Sequence, residues 1–148
     1  VVVTADTEIM DAAAGLGASV ATESSPTGIA EAIALGLPSD GLRAVLLGDL
    51  PALRPDDLAA ALESARSHPH AFVADADGTG TTLVTAGPGV EFLHHFGQGS
   101  AQRHRDAGLI ELPAGDSLRR DVDLPEHLDQ LRDQLGPRTA AVLSAPRG

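Results

Sequence analysis

The residues best equipped for chemistry fall in four short blocks. Gly48-Asp49-Leu50-Pro51-Ala52-Leu53 follows directly on the apolar run Ala44–Leu47. Ligand sites in open α/β sheets gather at the carboxyl ends of strands, and an aspartate there can hold a hard divalent cation. The same aspartate could cap the next helix, although that helix starts several residues later. Asp75-Ala76-Asp77-Gly78-Thr79-Gly80-Thr81-Thr82 offers glycines and threonine hydroxyls whose N–H and O–H groups can cradle a phosphate. It reads equally as a hairpin turn, and it lacks the glutamate of a calcium loop. Phe96-Gly97-Gln98-Gly99-Ser100 leads into a helical pattern, where the serine either caps the helix or joins free N–H groups around an anion. His104 follows one turn along and by itself fits a structural or surface role. In Leu118-Arg119-Arg120-Asp121-Val122-Asp123, alternation puts Asp121 and Asp123 on one face of an extended segment and Arg120 and Val122 on the other. Two carboxylates on one side suit one or two magnesium ions, and the arginines could meet phosphate oxygens; a solvated charge run before a helix is the plainer reading. His94-His95 and His68-Pro69-His70 have no partners at a convincing spacing and read as surface features.

Singly ambiguous, the blocks together equip the chain for metal-bridged phosphate chemistry, that is, phosphoryl or nucleotidyl transfer. Composition narrows the field further. The chain of 148 residues has no cysteine, which removes disulfides, thiolate metal sites and cysteine nucleophiles. Its formal charge is −11 and all its cations are arginine, which argues against a nucleic-acid partner. No apolar run approaches the roughly 20 residues that cross a bilayer, and no signal segment opens the chain, so no membrane partner and a cytoplasmic location are expected.

Elements that could position these blocks alternate along the chain. Strands are predicted over Val1–Thr4, Ser19–Thr22, Ala44–Leu47, Ala71–Ala74, Thr82–Thr85 and Leu109–Leu112. Helices are predicted over Glu8–Leu16, Gly28–Leu35, Pro55–Ser67, Ala101–Ala107 and Pro125–Leu135. Pro55 with Asp56 and Asp57 suits a helix start, and Leu58, Leu62 and Ala65 give that helix an apolar face. The alternation predicts an α/β domain over residues 1–135, with parallel strands joined by right-handed crossovers up to residue 67 and a mixed sheet beyond. Residues 136–148 have no clear period and read as a loose tail.

As a set, and in this order, the four blocks resemble the phosphoenolpyruvate/2-phospho-L-lactate guanylyltransferases, which make the guanylylated precursor of coenzyme F-420. The resemblance covers roughly residues 44 to 128 and includes Phe96-Gly97 with Ser100, His104 and Gly108. It implies a nucleotidyltransferase fold of the glycosyltransferase-A-like type, three-layered around a central mixed, mostly parallel sheet. It implies that Asp49 and Asp121 carry catalysis by holding, with Asp123, two Mg2+ ions, and that Thr81, Gly97 and Ser100 hold the phosphorylated three-carbon acid. The implied reaction is attack by a phosphate oxygen of phosphoenolpyruvate on the α-phosphorus of GTP, with release of pyrophosphate. An ionised phosphate needs no general base, so His104 is expected to be structural or at the substrate's edge.

Two departures fall on the nucleotide half of the implied site. The family begins with a strand and a basic nucleotide-binding loop; Val1–Thr4 matches a later strand, and the chain has no lysine. Gly28-Ile29-Ala30 stands where the family usually shows Gly-Leu-Asn. The domain is therefore expected to be N-terminally incomplete, binding its acid and metals yet transferring poorly alone. A related nucleotidyltransferase with another acceptor, or a truncated domain that only binds a phosphometabolite, are the competing expectations. Phosphoenolpyruvate is chosen over 2-phospho-L-lactate because the lysine-free, arginine-rich chain looks most like actinobacterial members.

Overall fold

The computed structural model describes residues 1–25 and 27–144. In chain order it contains β1 (Val2–Thr4), α1 (Thr7–Gly15), β2 (Val20–Thr22), α2 (Ile29–Gly36), β3 (Arg43–Leu46) and α3 (Pro55–Ala65). Then follow β4 (His70–Ala74), β5 (Thr81–Ala86), α4 (Ser100–Asp106), β6 (Ile110–Glu111), α5 (Asp116–Arg119), α6 (Pro125–Gln130), a 3-10 turn (Arg132–Gln134) and α7 (Pro137–Ser144). No helix of the described residues is long and apolar enough to cross a membrane.

The core is built on β4 and β5, which are buried on both faces apart from half-buried His70. Successive side chains of a strand point to opposite faces. Accordingly Ala71 and Val73 join Leu50, Ala61, Ala65, Leu83, Leu112 and Leu118 under α3 and α5. Phe72 and Ala74 join Val84, Ala101 and Leu109 under α4. Fully burying Phe72, Leu83 or Leu118 contributes about 1.5–3 kcal/mol each. Helices thus cover both faces of a sheet in the order β3-β5-β4-β6.

That sheet is mixed, but it is not mostly parallel. β5 runs antiparallel to both β3 and β4, and only β4 and β6 pair in parallel. The cause is the short link between β4 and β5: a crossover to a parallel strand takes a dozen residues or more, so the chain must fold back as a hairpin. β1 and β2 pair in parallel, as expected, but as a sheet of their own. An apolar groove of about 470 Å³, lined by residues including Val1, Val3, Ile33, Leu37, Val45 and Leu47, separates β1 from β3.

Other departures are local. The helix predicted over Pro125–Leu135 stops at Gln130 and tightens into the 3-10 turn. Pro137–Ser144 is helical where a loose tail was expected, and residues 145–148 of that tail lie outside the described residues. α7 has no fully buried residue. α5 is a single turn, too short for periodicity to reveal.

Candidate functional site

Asp49 stands just beyond the end of β3. The ladder continues past the strand through the Leu47 N–H, which donates to the Thr82 carbonyl at 3.0 Å. Buried Leu50 and Ala52 then hold the following turn against the core. Asp49 does not cap α3, whose N-cap is Arg54 without a side-chain cap bond. Its main-chain carbonyl accepts the Val122 N–H at 3.0 Å, so the segment after α5 runs beside it.

That segment is pinned from below. The Thr82 hydroxyl donates to the Leu118 carbonyl at 2.7 Å, and the Ala76 N–H donates to the Arg119 carbonyl at 2.7 Å. The Arg119 guanidinium donates to the carbonyls of Ala74 (3.1 Å) and Asp75 (2.8 Å). Arg119 is therefore spent on the backbone, whereas Arg120 makes only an exposed pair with Asp116 at 3.3 Å.

Carboxylate oxygens of Asp49, Asp121 and Asp123 lie within 4.8 Å of one another. Asp49 Oδ1 is buried without a hydrogen-bond partner. Burial first, and then repulsion from Asp123, Asp49 and Asp75, holds the Asp121 carboxyl above its ordinary range. An orphaned buried oxygen within an all-oxygen cluster of mutually repelling carboxylates is a donor set that fits a hard divalent cation such as Mg2+.

Opposite the carboxylates lies the hairpin loop between β4 and β5. The Asp75 side chain accepts the N–H groups of Thr79 (2.9 Å) and Gly80 (2.6 Å), closing the turn on itself. A Cβ on Gly80 would collide with that same carboxylate, so any other residue there must displace it. These two N–H groups are consequently not free to cradle a phosphate, as the glycine-rich sequence had suggested. The Ala101 N–H is tied to the Thr79 carbonyl (3.1 Å) and the Ser100 N–H to the Gly97 carbonyl (3.0 Å), so the start of α4 also has fewer free donors than expected.

Hydroxyls remain. Ser100 is not a cap: Gly99, in a left-handed conformation, occupies that position. Instead the buried Ser100 Oγ donates to Thr81 Oγ1 at 3.0 Å. Thr81 Oγ1 lies 3.0 Å from His104 Nδ1, and the His95 N–H donates to His104 Nε2 at 2.8 Å. His104 has no exposed surface; its pKa is lowered to about 4, chiefly by burial and then by His95, Arg103 and His94. The Arg103 guanidinium ties down the loop above through the carbonyls of His95, Phe96 and Gln98. Gly97 turns in that loop at φ +111°, a conformation open to glycine.

All six residues singled out in the sequence line one cleft of about 440 Å³: Asp49, Asp121 and Asp123 together with Thr81, Gly97 and Ser100. Asp75, Ile29, Leu47 and Phe96 are among the other residues of its wall. Sequence reasoning did not give Asp75 its turn-closing task, although its carboxylate precedes Thr79 and Gly80 by the four and five residues of a side-chain-closed turn. No arginine or histidine side chain is among the lining residues described. Arg120 and His127 line a smaller neighbouring cleft that shares Asp121.

An α/β domain presenting an acidic cation site beside a hydroxyl wall is suited to binding metal-bridged phosphate. No family model matches the chain. Known proteins do: over 155 aligned residues it is 43% identical to a phosphoenolpyruvate guanylyltransferase of Mycolicibacterium gilvum, covering 97% of this chain and 72% of that protein. Proteins of the same name from Sanguibacter keddieii (48% over 137 residues) and Geodermatophilus obscurus (47% over 132 residues) align with 88% and 86% of this chain. The chain spans 46% and 61% of the length of those two relatives. It belongs to the phosphoenolpyruvate guanylyltransferase family.

Proposed function

We propose that this chain serves a guanylyltransferase, transferring GMP from GTP to phosphoenolpyruvate with release of pyrophosphate, in the cytoplasm and in coenzyme F-420 biosynthesis. The observation that carries the reading is the meeting, in one cleft, of the carboxylate cluster and the Thr81–Ser100 hydroxyl pair. The names of the relatives supply the substrates. We assign the fold to the three-layer, glycosyltransferase-A-like nucleotidyltransferase type, with residues 1–135 as its domain; helices on both faces of a mixed sheet support this.

In this reading Asp49, Asp121 and Asp123 hold Mg2+, with two ions required for two polyanionic substrates. Bound Mg2+ would neutralise charge on the phosphate oxygens that meet it in a cleft whose described lining carries no basic side chain. Thr81 donates from the hydroxyl wall, Ser100 holds the Thr81 oxygen through its own hydroxyl, and Gly97 leaves room for the acid to approach the backbone. A phosphate oxygen of the acid attacks the α-phosphorus of GTP; the new O–P bond forms as the bond to the β-phosphate oxygen breaks, and pyrophosphate leaves. The attacking oxygen is already ionised, so no side chain need accept a proton, and neutral His104 is no base. The side chains bind and align, which is where most of the catalysis of phosphoryl and nucleotidyl transfer lies.

The test is calorimetric titration of phosphoenolpyruvate into the chain with Mg2+ and again with a chelator, followed by a pyrophosphate-release assay with GTP. Magnesium-dependent binding that vanishes in Asp49→Asn is expected. A folded chain that ignores phosphoenolpyruvate under both conditions refutes the substrate.

A further inference from the structure

His104 is a buried, hydrogen-bonded group for which the proposed reaction has no use, yet it touches the one hydroxyl shared by the acceptor wall. Its Nε2 receives the His95 N–H at 2.8 Å. A backbone N–H only donates, so Nε2 must present a lone pair, and the single proton of the neutral ring then sits on Nδ1. Nδ1 faces Thr81 Oγ1 at 3.0 Å and must donate to it. Ser100 Oγ donates to the same oxygen at 3.0 Å. A hydroxyl oxygen has two acceptor positions and one proton. With both acceptor positions filled, the Thr81 proton is left to point at whatever occupies the cleft that Thr81 lines.

We propose that His104 is a positioning residue that locks Thr81 as a hydrogen-bond donor toward the cleft, and so selects a ligand presenting an anionic phosphate or carboxylate oxygen at that point. The device is a one-way chain of donors running from the His95 backbone through the imidazole to the Thr81 hydroxyl. Burial suits it: Phe72, tilted, and Phe96, edge-on, pack about the ring at centroid distances of 5.3 and 5.9 Å, and the ring has no exposed surface. The helix following Ser100 carries His104, so the same element that delivers one hydroxyl orders the other. Identifying the anion as phosphoenolpyruvate rests on the proposed function; the polarity of the chain of donors does not.

Two measurements test the assignment separately. Nitrogen-15 spectra of the histidine rings in the ligand-free chain should show His104 protonated on Nδ1; an Nε2-protonated ring overturns the proposal whatever the substrate. Titration of phosphoenolpyruvate with Mg2+ should then show binding weakened about tenfold to a hundredfold in His104→Phe, which keeps the ring volume and removes both nitrogens. His104→Asn, whose amide can reach the Nδ1 position, should recover most of that loss, and His104→Gln, whose amide reaches Nε2, should not. Thr81→Val should weaken binding by the same factor, with no further loss in the double variant. Equal recovery by Gln and Asn, or additive losses, would mean that His104 merely fills space. Should Phe fail to fold, the contrast between Asn and Gln still decides. Failure of the wild-type chain to bind phosphoenolpyruvate removes the substrate, while the tautomer still settles the role of His104.

Discussion

The Val122 N–H donates to the Asp49 carbonyl at 3.0 Å, joining the end of β3 to a segment more than seventy residues further along. This one bond sets the register in which Asp121 and Asp123, either side of Val122, both face Asp49. The result is a cluster of carboxylate oxygens within 4.8 Å, with Asp121 held above its ordinary pKa by burial and by its acidic neighbours. Holding three carboxylates together works against folding unless a cation is bound.

Mg2+ should therefore stabilise the chain, by about 2.7 kcal/mol at a hundredfold excess over its dissociation constant. Asp121→Asn should melt higher than wild type in chelator, because it removes the charge that burial and repulsion disfavour. The same variant should lose most of the response to Mg2+. Thermal melts with Mg2+ and with chelator check both; a variant that melts lower without metal contradicts the electrostatic account.

Stability should fall as pH falls through the range between about 6.5, the ordinary histidine value, and about 4, that of folded His104. In this window the unfolded chain binds a proton that the folded chain refuses, so acid favours unfolding. The contribution is fully present above about pH 6.5 and amounts to about 3 kcal/mol. Urea unfolding of wild type and His104→Asn across this range should show a shallower pH dependence in the variant.

Gly80→Ala should loosen the hairpin, since its Cβ meets the Asp75 carboxylate that closes the turn. A loss of about 1–3 kcal/mol is expected, typical of forced overpacking. Calorimetry should show phosphoenolpyruvate binding weakened as well, because the next residue is Thr81. Unchanged denaturation and binding would show that Asp75 moves aside without cost.

Arg119→Ala should destabilise by about 1–3 kcal/mol through loss of the donors to the Ala74 and Asp75 carbonyls. Were Arg119 instead a phosphate ligand, the substitution would abolish binding with little change in stability. Denaturant midpoints and calorimetry on the same sample separate the two.

Local patterns made much of this legible. The apolar run Ala71-Phe72-Val73-Ala74 in β4 marks a strand covered on both faces, and Pro55 with two aspartates marks the start of α3. The alternation in Asp121-Val122-Asp123 placed two carboxylates on one side because an extended chain has a period of two. The position of Asp49 beyond a strand end was likewise readable, since it follows closely on the apolar run Ala44–Leu47.

Tertiary structure decided which groups are free and which are spent. Glycine-rich loops promise N–H groups, yet Asp75 takes those of Thr79 and Gly80 and neighbouring carbonyls take those at the start of α4. Arg119 looked like a phosphate ligand and became a clamp, because its partners sit 44 and 45 residues away in sequence. His104 reads as an ordinary helical residue until the fold buries it between the His95 amide and Thr81. Sequence determines which donors and acceptors the protein owns and on which face of each element they lie. How they pair is set by contacts between distant segments, and neither spacing nor period records those.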